Sequence, residues 1–247
     1  MNRNLTTSAI VLLGRRWGDL HRSITLYSKD LGLIHALAYG ARKGKLAGKI
    51  EQFLSGVFYL YHNPVKNDYS IIDVEIQTTG ERIRNDLTRT YAASFMAELV
   101  MRMEGGDRQS VHALLQQAYA LLDANESIDR IIIQFIWRFI AIAGLQGDLA
   151  SCPICEKHYS EEEILFFNTV IHAPCCGDCS DVDNDSFQLA LGPGARKYLM
   201  FTSDMDFYGA VAITLNEPTA RRIKRYMLRY ASIVAGGDLK TLAVVME

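Results

Sequence analysis

The sequence predicts an α+β protein: an N-terminal OB-fold β-barrel followed by a helical domain that carries a four-cysteine zinc module. Three observations lead there. Short apolar runs punctuated by Gly, Asp and Lys fill residues 1–80, apolar repeats of helical period follow, and two Cys-x-x-Cys pairs stand in the second half. The expected organisation is 1–80 barrel, 81–149 first part of the helical domain, 150–180 zinc-binding module and 181–247 C-terminal part of the helical domain.

The strands come first. Ala9–Leu13, Ile24–Tyr27, Leu33–Tyr39, Phe53–Tyr61 and Tyr69–Glu75 are apolar runs of strand length, and about five strands is the number an OB-fold needs. His62–Asp68 holds Asn63-Pro64 and Asn67-Asp68, which form turns. Lys43–Lys49 is rich in Gly and Lys and reads as a mobile loop, suited to wrapping a phosphate backbone or serving as an ordinary hairpin.

The helices follow. Leu87, Tyr91, Phe95, Leu99 and Met103 recur every four residues, with Met96 and Val100 beside them, and predict one apolar helix face. Gly105-Gly106-Asp107 breaks that helix. Val111, Leu114, Leu115, Ala118, Leu121 and Leu122 predict a second helix, and Ile128–Leu145, apolar nearly all round, a central third. Asp181–Asp185 reads as an acidic linker and Leu191–Gly194 as a turn into another helix. Asn216-Glu217-Pro218 opens the last long one, with Ile223, Met227, Tyr230 and Val234 on one face and Arg221, Arg225 and Arg229 in a row on another, before Gly236-Gly237.

Charge is informative through its distribution. The net charge is only −2, yet Met1–Ile50 carries nine Lys and Arg against two acids, and Ala150–Ala190 carries one against eight. Arg221–Arg229 then holds five cations and no acid. Two basic zones flanking an acidic one suggest a polyanion-binding surface, and a small barrel edged with Arg and Lys suits a nucleic-acid backbone. The barrel cations are Arg15, Arg16, Arg22, Arg42, Lys43, Lys45 and Lys49. Trp17 and Tyr39 lie beside Arg16 and Arg42 and either stack on bases or pack the barrel.

Five cysteines, four of them in Cys-x-x-Cys pairs, point to the cytoplasm and a metal rather than to disulfides. Cys152, Cys155, Cys176 and Cys179 are the expected ligands of a structural Zn²⁺, since two tight knuckles make a closed tetrahedral thiolate site. Cys175 competes with Cys176 for the third position, but only Cys176 completes a pair; His158 and His172 are lesser substitutes. A closed site leaves no open position for water, so the chain is not expected to be a zinc hydrolase or nuclease. No nucleophile elbow, zinc-protease helix or dinucleotide fingerprint is present, and Gly40–Lys45 falls one residue short of a phosphate loop, with Leu46 in place of Ser or Thr. No catalytic residue is assigned. No secretory signal is expected from the short run Ala9–Leu13, and Ile128–Leu145 is interrupted by charges, so no membrane span is expected.

An apolar first strand, the Gly18-Asp19 break, and then Thr25-Leu26, Ser28, Leu31-Gly32 and Gly40-Ala41-Arg42-Lys43 together resemble the N-terminal OB-fold of the bacterial DNA repair protein family RecO. A helical middle, a cysteine cluster and a basic C-terminal helix extend the resemblance, with Arg15-Arg16-Trp17 and Cys175 as departures. The resemblance implies a non-enzymatic recombination mediator that binds single- and double-stranded DNA and anneals complementary strands. With RecR and RecF it would help load the recombinase RecA onto DNA coated by single-strand binding protein. It assigns the barrel cations to DNA, with Arg221, Arg222 and Arg225 as a second patch. The tail of single-strand binding protein, acidic and apolar, needs an apolar groove rimmed by a cation, for which Phe135–Phe139 and Arg221–Tyr230 supply residue types. The alternative reading is a zinc-ribbon, OB-fold RNA-binding or transcription-associated protein.

Overall fold

The computed structural model describes residues 3–124, 126–181 and 190–246. The chain forms two compact units, Met1–Ala97 with Asp107–Glu126, and Glu98–Gly106 with Ser127–Glu247.

The first unit is built on β1 (Asn4–Trp17), β2 (His21–Ser28), β3 (Gly32–Ala38), β4 (Ser55–Asn63) and β5 (Asp68–Thr78). They close into a barrel in the order β1-β2-β3-β5-β4. β4 pairs antiparallel with β1, and β3 meets β5 in a short parallel contact, Ala36 beside Tyr69 and Leu37 beside Ser70. Closure leaves no open sheet edge. Side chains that alternate inward, among them Val11, Ile24, Leu26, Ile34, Phe58, Leu60 and Ile71, fill the interior.

β1 is much longer than the apolar run Ala9–Leu13. Gly14, Arg15, Arg16 and Trp17 continue it as a ladder against β2, pairing with Ile24, Ser23, Arg22 and His21. Solvent-facing arginines on an antiparallel hairpin need no apolar alternation, which is why this part reads as a break. The segment between β3 and β4 also differs from the expected mobile loop. Lys43 and Gly44 donate backbone N–H groups to the Gly40 carbonyl, Ala47 to Gly44 and Lys49 to Leu46, so the chain winds through consecutive turns. Ala41, Leu46 and Ile50 project from these turns into the barrel core.

Helices α1 (Glu81–Asn85), α2 (Leu87–Met103) and α3 (Arg108–Asp123) follow. Asp107 caps α3 by accepting the Ser110 N–H at 2.8 Å, and α3 packs on β1, β2 and β3. The expected single face of α2 is too narrow a description. Leu87 is 65% exposed, while Ala92, Ala93, Met96, Ala97 and Val100 are buried along with Phe95 and Leu99.

In the second unit α4 (Ile128–Ile142) is central as expected, with every residue from Ile131 to Trp137 buried. Its buried Gln134 donates to the hydroxyls of Tyr198 and Thr202 at 3.0 and 2.9 Å. Around it stand β6 (Phe166–Asn168), β7 (Ala173–Cys175), α5 (Pro193–Ser203), α6 (Phe207–Ala212), α7 (Glu217–Val234) and α8 (Leu242–Met246). α4 packs against α6 and α7. Asn216 caps α7 by accepting the Thr219 N–H at 2.9 Å, and Gly236 follows its end at φ 73°. Most of the expected acidic linker, Val182–Asp185, lies outside the described residues. No described helix is long and apolar enough to cross a membrane.

Candidate nucleic-acid interface and metal centre

The β1–β2 hairpin and the wound segment after β3 bring three of the seven barrel cations together. Arg16, Arg22 and Arg42 line one open cleft of about 420 Å³ with Gly14, Ala41, Gly48 and Glu51. Register explains the first pair, because Arg16 sits directly across the ladder from Arg22. Arg22 is held in place: its Nη1 donates to the Ile50 carbonyl at 2.7 Å and to Glu51 Oε1 at 2.9 Å. Arg42 is held by the Asp19 carbonyl at 2.7 Å.

The aromatic question resolves in favour of exposure. Trp17 and Tyr39 are 57% and 56% exposed, so neither packs the barrel. Trp17 lies across from His21, whose ring meets Tyr39 edge-on at 5.1 Å. His21 Nδ1 accepts the Gly40 N–H at 3.1 Å, which ties this aromatic run to the Arg42 turn. Exposed rings beside anchored guanidiniums can stack bases while the cations hold phosphate.

The other barrel cations are placed differently. Lys45 turns to Asp73, with its Nζ 2.5 Å from Oδ2, in a separate cleft with Asn4, Tyr59 and Glu75. The Lys45 contact, then the Val74 N–H, hold the Asp73 carboxyl below the usual carboxylate range, and Lys49 adds to this. Arg15 and Lys43 are exposed. Glu51 and Asp73, which neutralise Arg22 and Lys45, carry no local signal in the sequence; only strand register brings them there.

The C-terminal arginines divide in two. Arg221 pairs with Glu217 one turn earlier, and Lys224 pairs with Asp129 at 2.9 Å. Arg222 and Arg225 have no ion-pair partner among the described residues. They line a groove of about 420 Å³ with Ile164, Leu191, Pro193, Ile223 and Tyr226, a mainly apolar lining. Phe135 and Phe139 belong to no groove, since both are fully buried in the core. That part of the expected tail receptor is corrected by the all-round burial of α4.

The cysteine centre is built from local turns. Glu156 N–H returns to the Cys152 carbonyl at 2.9 Å, and Cys179 N–H to the Cys176 carbonyl at 3.1 Å, closing one knuckle each. The β6–β7 hairpin lies beside the second knuckle, and Asn168 Nδ2 donates to the Cys179 carbonyl at 2.9 Å. The four sulfurs of Cys152, Cys155, Cys176 and Cys179 all lie within 4.8 Å of one another. Cys155 Sγ and Cys176 Sγ are 3.7 Å apart. Tetrahedral thiolates on an ion with bonds of about 2.3 Å stand about 3.8 Å apart, so the set fits a metal site. Burial opposes ionisation of Cys152, but the N–H groups of Cys155, Cys176 and Ile154 outweigh it and bring the thiol down to about 6. Cys175 is fully buried beside the cluster but is not part of it, and burial, then the neighbouring Cys152, push its thiol up to about 12. His158 bonds Ser151 Oγ instead, at 2.9 Å.

These features define an OB-type barrel protein with a helical unit and a four-cysteine centre. Residues 1–79 match the family Recombination protein O N terminal, and residues 84–243 match Recombination protein O C terminal. The chain therefore belongs to the RecO family of DNA repair proteins. It is 28% identical to the DNA repair protein RecO of Desulfatibacillum aliphaticivorans, over 98% of this chain and 96% of that protein. It is 23% identical to the protein of that name from Syntrophus aciditrophicus, over 100% and 98%. The protein of that name from Acetivibrio thermocellus is 26% identical, over 92% and 90%.

Proposed function

We propose that this chain is a non-enzymatic recombination mediator whose barrel binds single- and double-stranded DNA through phosphate and anneals complementary strands. The observation that carries the reading is the convergence of Arg16, Arg22 and Arg42 on one cleft beside exposed Trp17 and Tyr39, in a member of the RecO family. Annealing requires two polyanions to be brought together with their bases free. Cations that displace counterions do this without reading sequence. Arg15, Lys43, Lys45 and Lys49 extend the surface, Lys45 after release from Asp73.

The four-cysteine centre holds a structural Zn²⁺ on this reading, and its thiolate set suits that ion. Partners are RecR, RecF and RecA in recombinase loading, and the acidic, apolar tail of single-strand binding protein. The groove with Arg222 and Arg225 at its rim has the residue types that tail requires, which favours it over the earlier assignment of Arg221, Arg222 and Arg225 to DNA. The setting is the cytoplasm, at the nucleoid.

The test is annealing of two complementary labelled oligonucleotides at low and moderate salt, bare and coated with single-strand binding protein. Fast annealing that fades with salt is expected. Replacing Arg42 and Lys43 by Glu should weaken binding to all sequences and flatten the logarithmic salt slope by about one per lost contact. Replacing Arg222 and Arg225 by Glu should slow annealing on coated strands alone. No annealing by folded protein would discard the mediator reading, and a preference for RNA would move the assignment to the RNA-binding class.

A further inference from the structure

The Arg16, Arg22 and Arg42 cleft is more built than a general cationic face requires. Gly14 sits inside β1, where glycine weakens a strand through chain entropy and lost packing. A Cβ there would lie 2.8 Å from Arg22 Nη2, so a side chain at this position would push the guanidinium from the place it now occupies. The same guanidinium is fixed from the other side by the Ile50 carbonyl and Glu51. Arg16 stands directly opposite it on the ladder, a like-charge pairing that disfavours the sheet unless an anion joins it. Arg42 is anchored by a backbone carbonyl, so its geometry is set before any ligand arrives.

The remaining lining residues are Gly14, Ala41 and Gly48, none with bulk to fill the space. Three guanidiniums and one carboxylate leave a net of two positive charges. Lys45, which would raise that total, is held elsewhere by Asp73. An interior phosphodiester carries one negative charge. A phosphomonoester carries about −1.5 to −2 near pH 7 and offers three acceptor oxygens. Anchored arginines bind such a group through paired, directional hydrogen bonds.

We propose that this cleft is a socket for one terminal phosphate of a nucleic-acid strand. The proposal rests on the reading of the barrel as a DNA-binding surface and adds to it a preference for phosphorylated strand ends. Glu51 fixes Arg22 in the cleft, and the net charge of two that remains is close in size to that of a phosphomonoester and twice that of an interior phosphate.

Fluorescence anisotropy tests this with a short single strand labelled internally and bearing a 5′-phosphate, a 3′-phosphate or hydroxyls at both ends. At least one phosphorylated form should bind about tenfold or more tighter than the hydroxyl form, in keeping with added charge-assisted hydrogen bonds. The two phosphorylated arms identify which end the socket takes. Gly14→Val should abolish the preference by displacing Arg22 without changing charge. Arg16→Met, an exposed change that leaves the barrel core intact, should abolish it as well. Glu51→Gln should widen it, because losing a negative charge from the cleft favours a group near −2 more than an interior phosphate at −1. Equal binding of all three strands, with Arg42 and Lys43 reversal still weakening each, would overturn the socket and leave the DNA reading standing. Failure of folded protein to bind any strand would overturn both.

Discussion

The barrel and the cysteine module reach order by opposite means. The barrel closes a ladder of five strands around an apolar interior in which Ile24, Leu26, Phe58 and Leu60 are fully buried. The segment 150–180, expected as the module, contains two three-residue strands and one 3-10 turn, Gly177–Cys179, while Ile154, Ile164, Val170 and Ile171 remain exposed. Cys152, Cys175 and Cys176, with Tyr159 and Cys179 packed against them, form one small cluster, and Leu165 and Phe167 are the large apolar side chains the segment fully buries elsewhere. A segment that cannot bury enough apolar surface to offset its conformational entropy needs a cross-link. Here four sulfurs within 4.8 Å of one another are placed to supply one by sharing a metal ion, whereas the barrel has its core.

The sharpest way to break that contrast is to deny the four cysteines a metal. A structural zinc site supplies about 10–16 kcal/mol of apparent binding free energy in small metal-folded peptides. Chelation, or Cys152→Ser with Cys179→Ser, should abolish hydrogen-exchange protection across residues 150–180 and leave β1–β5 protected. A chelated protein whose module amides stayed protected would show that packing, not ligation, holds it.

The converse is a cavity in the barrel. Phe58 is fully buried among Ile24, Leu26 and Leu60, and Phe→Ala at such a site costs about 3–5 kcal/mol through lost transfer energy and an unfilled hole. Phe58→Ala should lower the urea midpoint of the barrel transition by a corresponding amount. Addition of zinc should not restore it. Recovery with zinc would mean that the barrel, too, leans on a ligand.

What the sequence disclosed follows the same division. The knuckles were legible because their chemistry is local: Cys176, unlike Cys175, stands three residues before Cys179, and that spacing chose the right sulfur for the cluster. The five strands and the barrel were legible from the number and spacing of the apolar runs, but the strand pairings that close it were not. The β4–β1 pairing joins residues about fifty apart and the β3–β5 contact joins residues thirty-three apart, separations that no local pattern encodes. The same long-range register hid the fate of the cations. Nothing near Lys45 announces Asp73, and nothing near Arg22 announces Glu51. Phe135 and Phe139 misled for a different reason: a helix apolar all round offers no surface, so its aromatic residues were core rather than receptor.

The smallest expected effect concerns a third kind of support, neither core nor metal. Glu98, near the end of α2, accepts the Lys240 N–H at 2.8 Å, the Thr241 N–H at 2.9 Å and the Thr241 hydroxyl at 2.6 Å. Its carboxylate thereby occupies the start of α8, where backbone N–H groups lack helical partners and negative charge is favoured. Burial alone would raise the Glu98 carboxyl, but the Thr241 hydroxyl, the Thr241 and Lys240 amides and the Lys240 charge outweigh it and hold it below the ordinary glutamate value. A folded value lower than the unfolded one gives stability that is fully present above the unfolded range. It is lost as pH falls through the folded value. Amide exchange at Lys240 and Thr241 should therefore be protected at neutral pH and accelerate in acid below the usual glutamate range. Glu98→Gln removes the charge, should cost about 1 kcal/mol as capping losses generally do, and should make exchange at these amides flat over the same acid range after correction for intrinsic rates. A variant that kept the wild-type acid dependence would place the titrating group elsewhere and leave α8 held by Leu242 and Val245, which are buried in the unit.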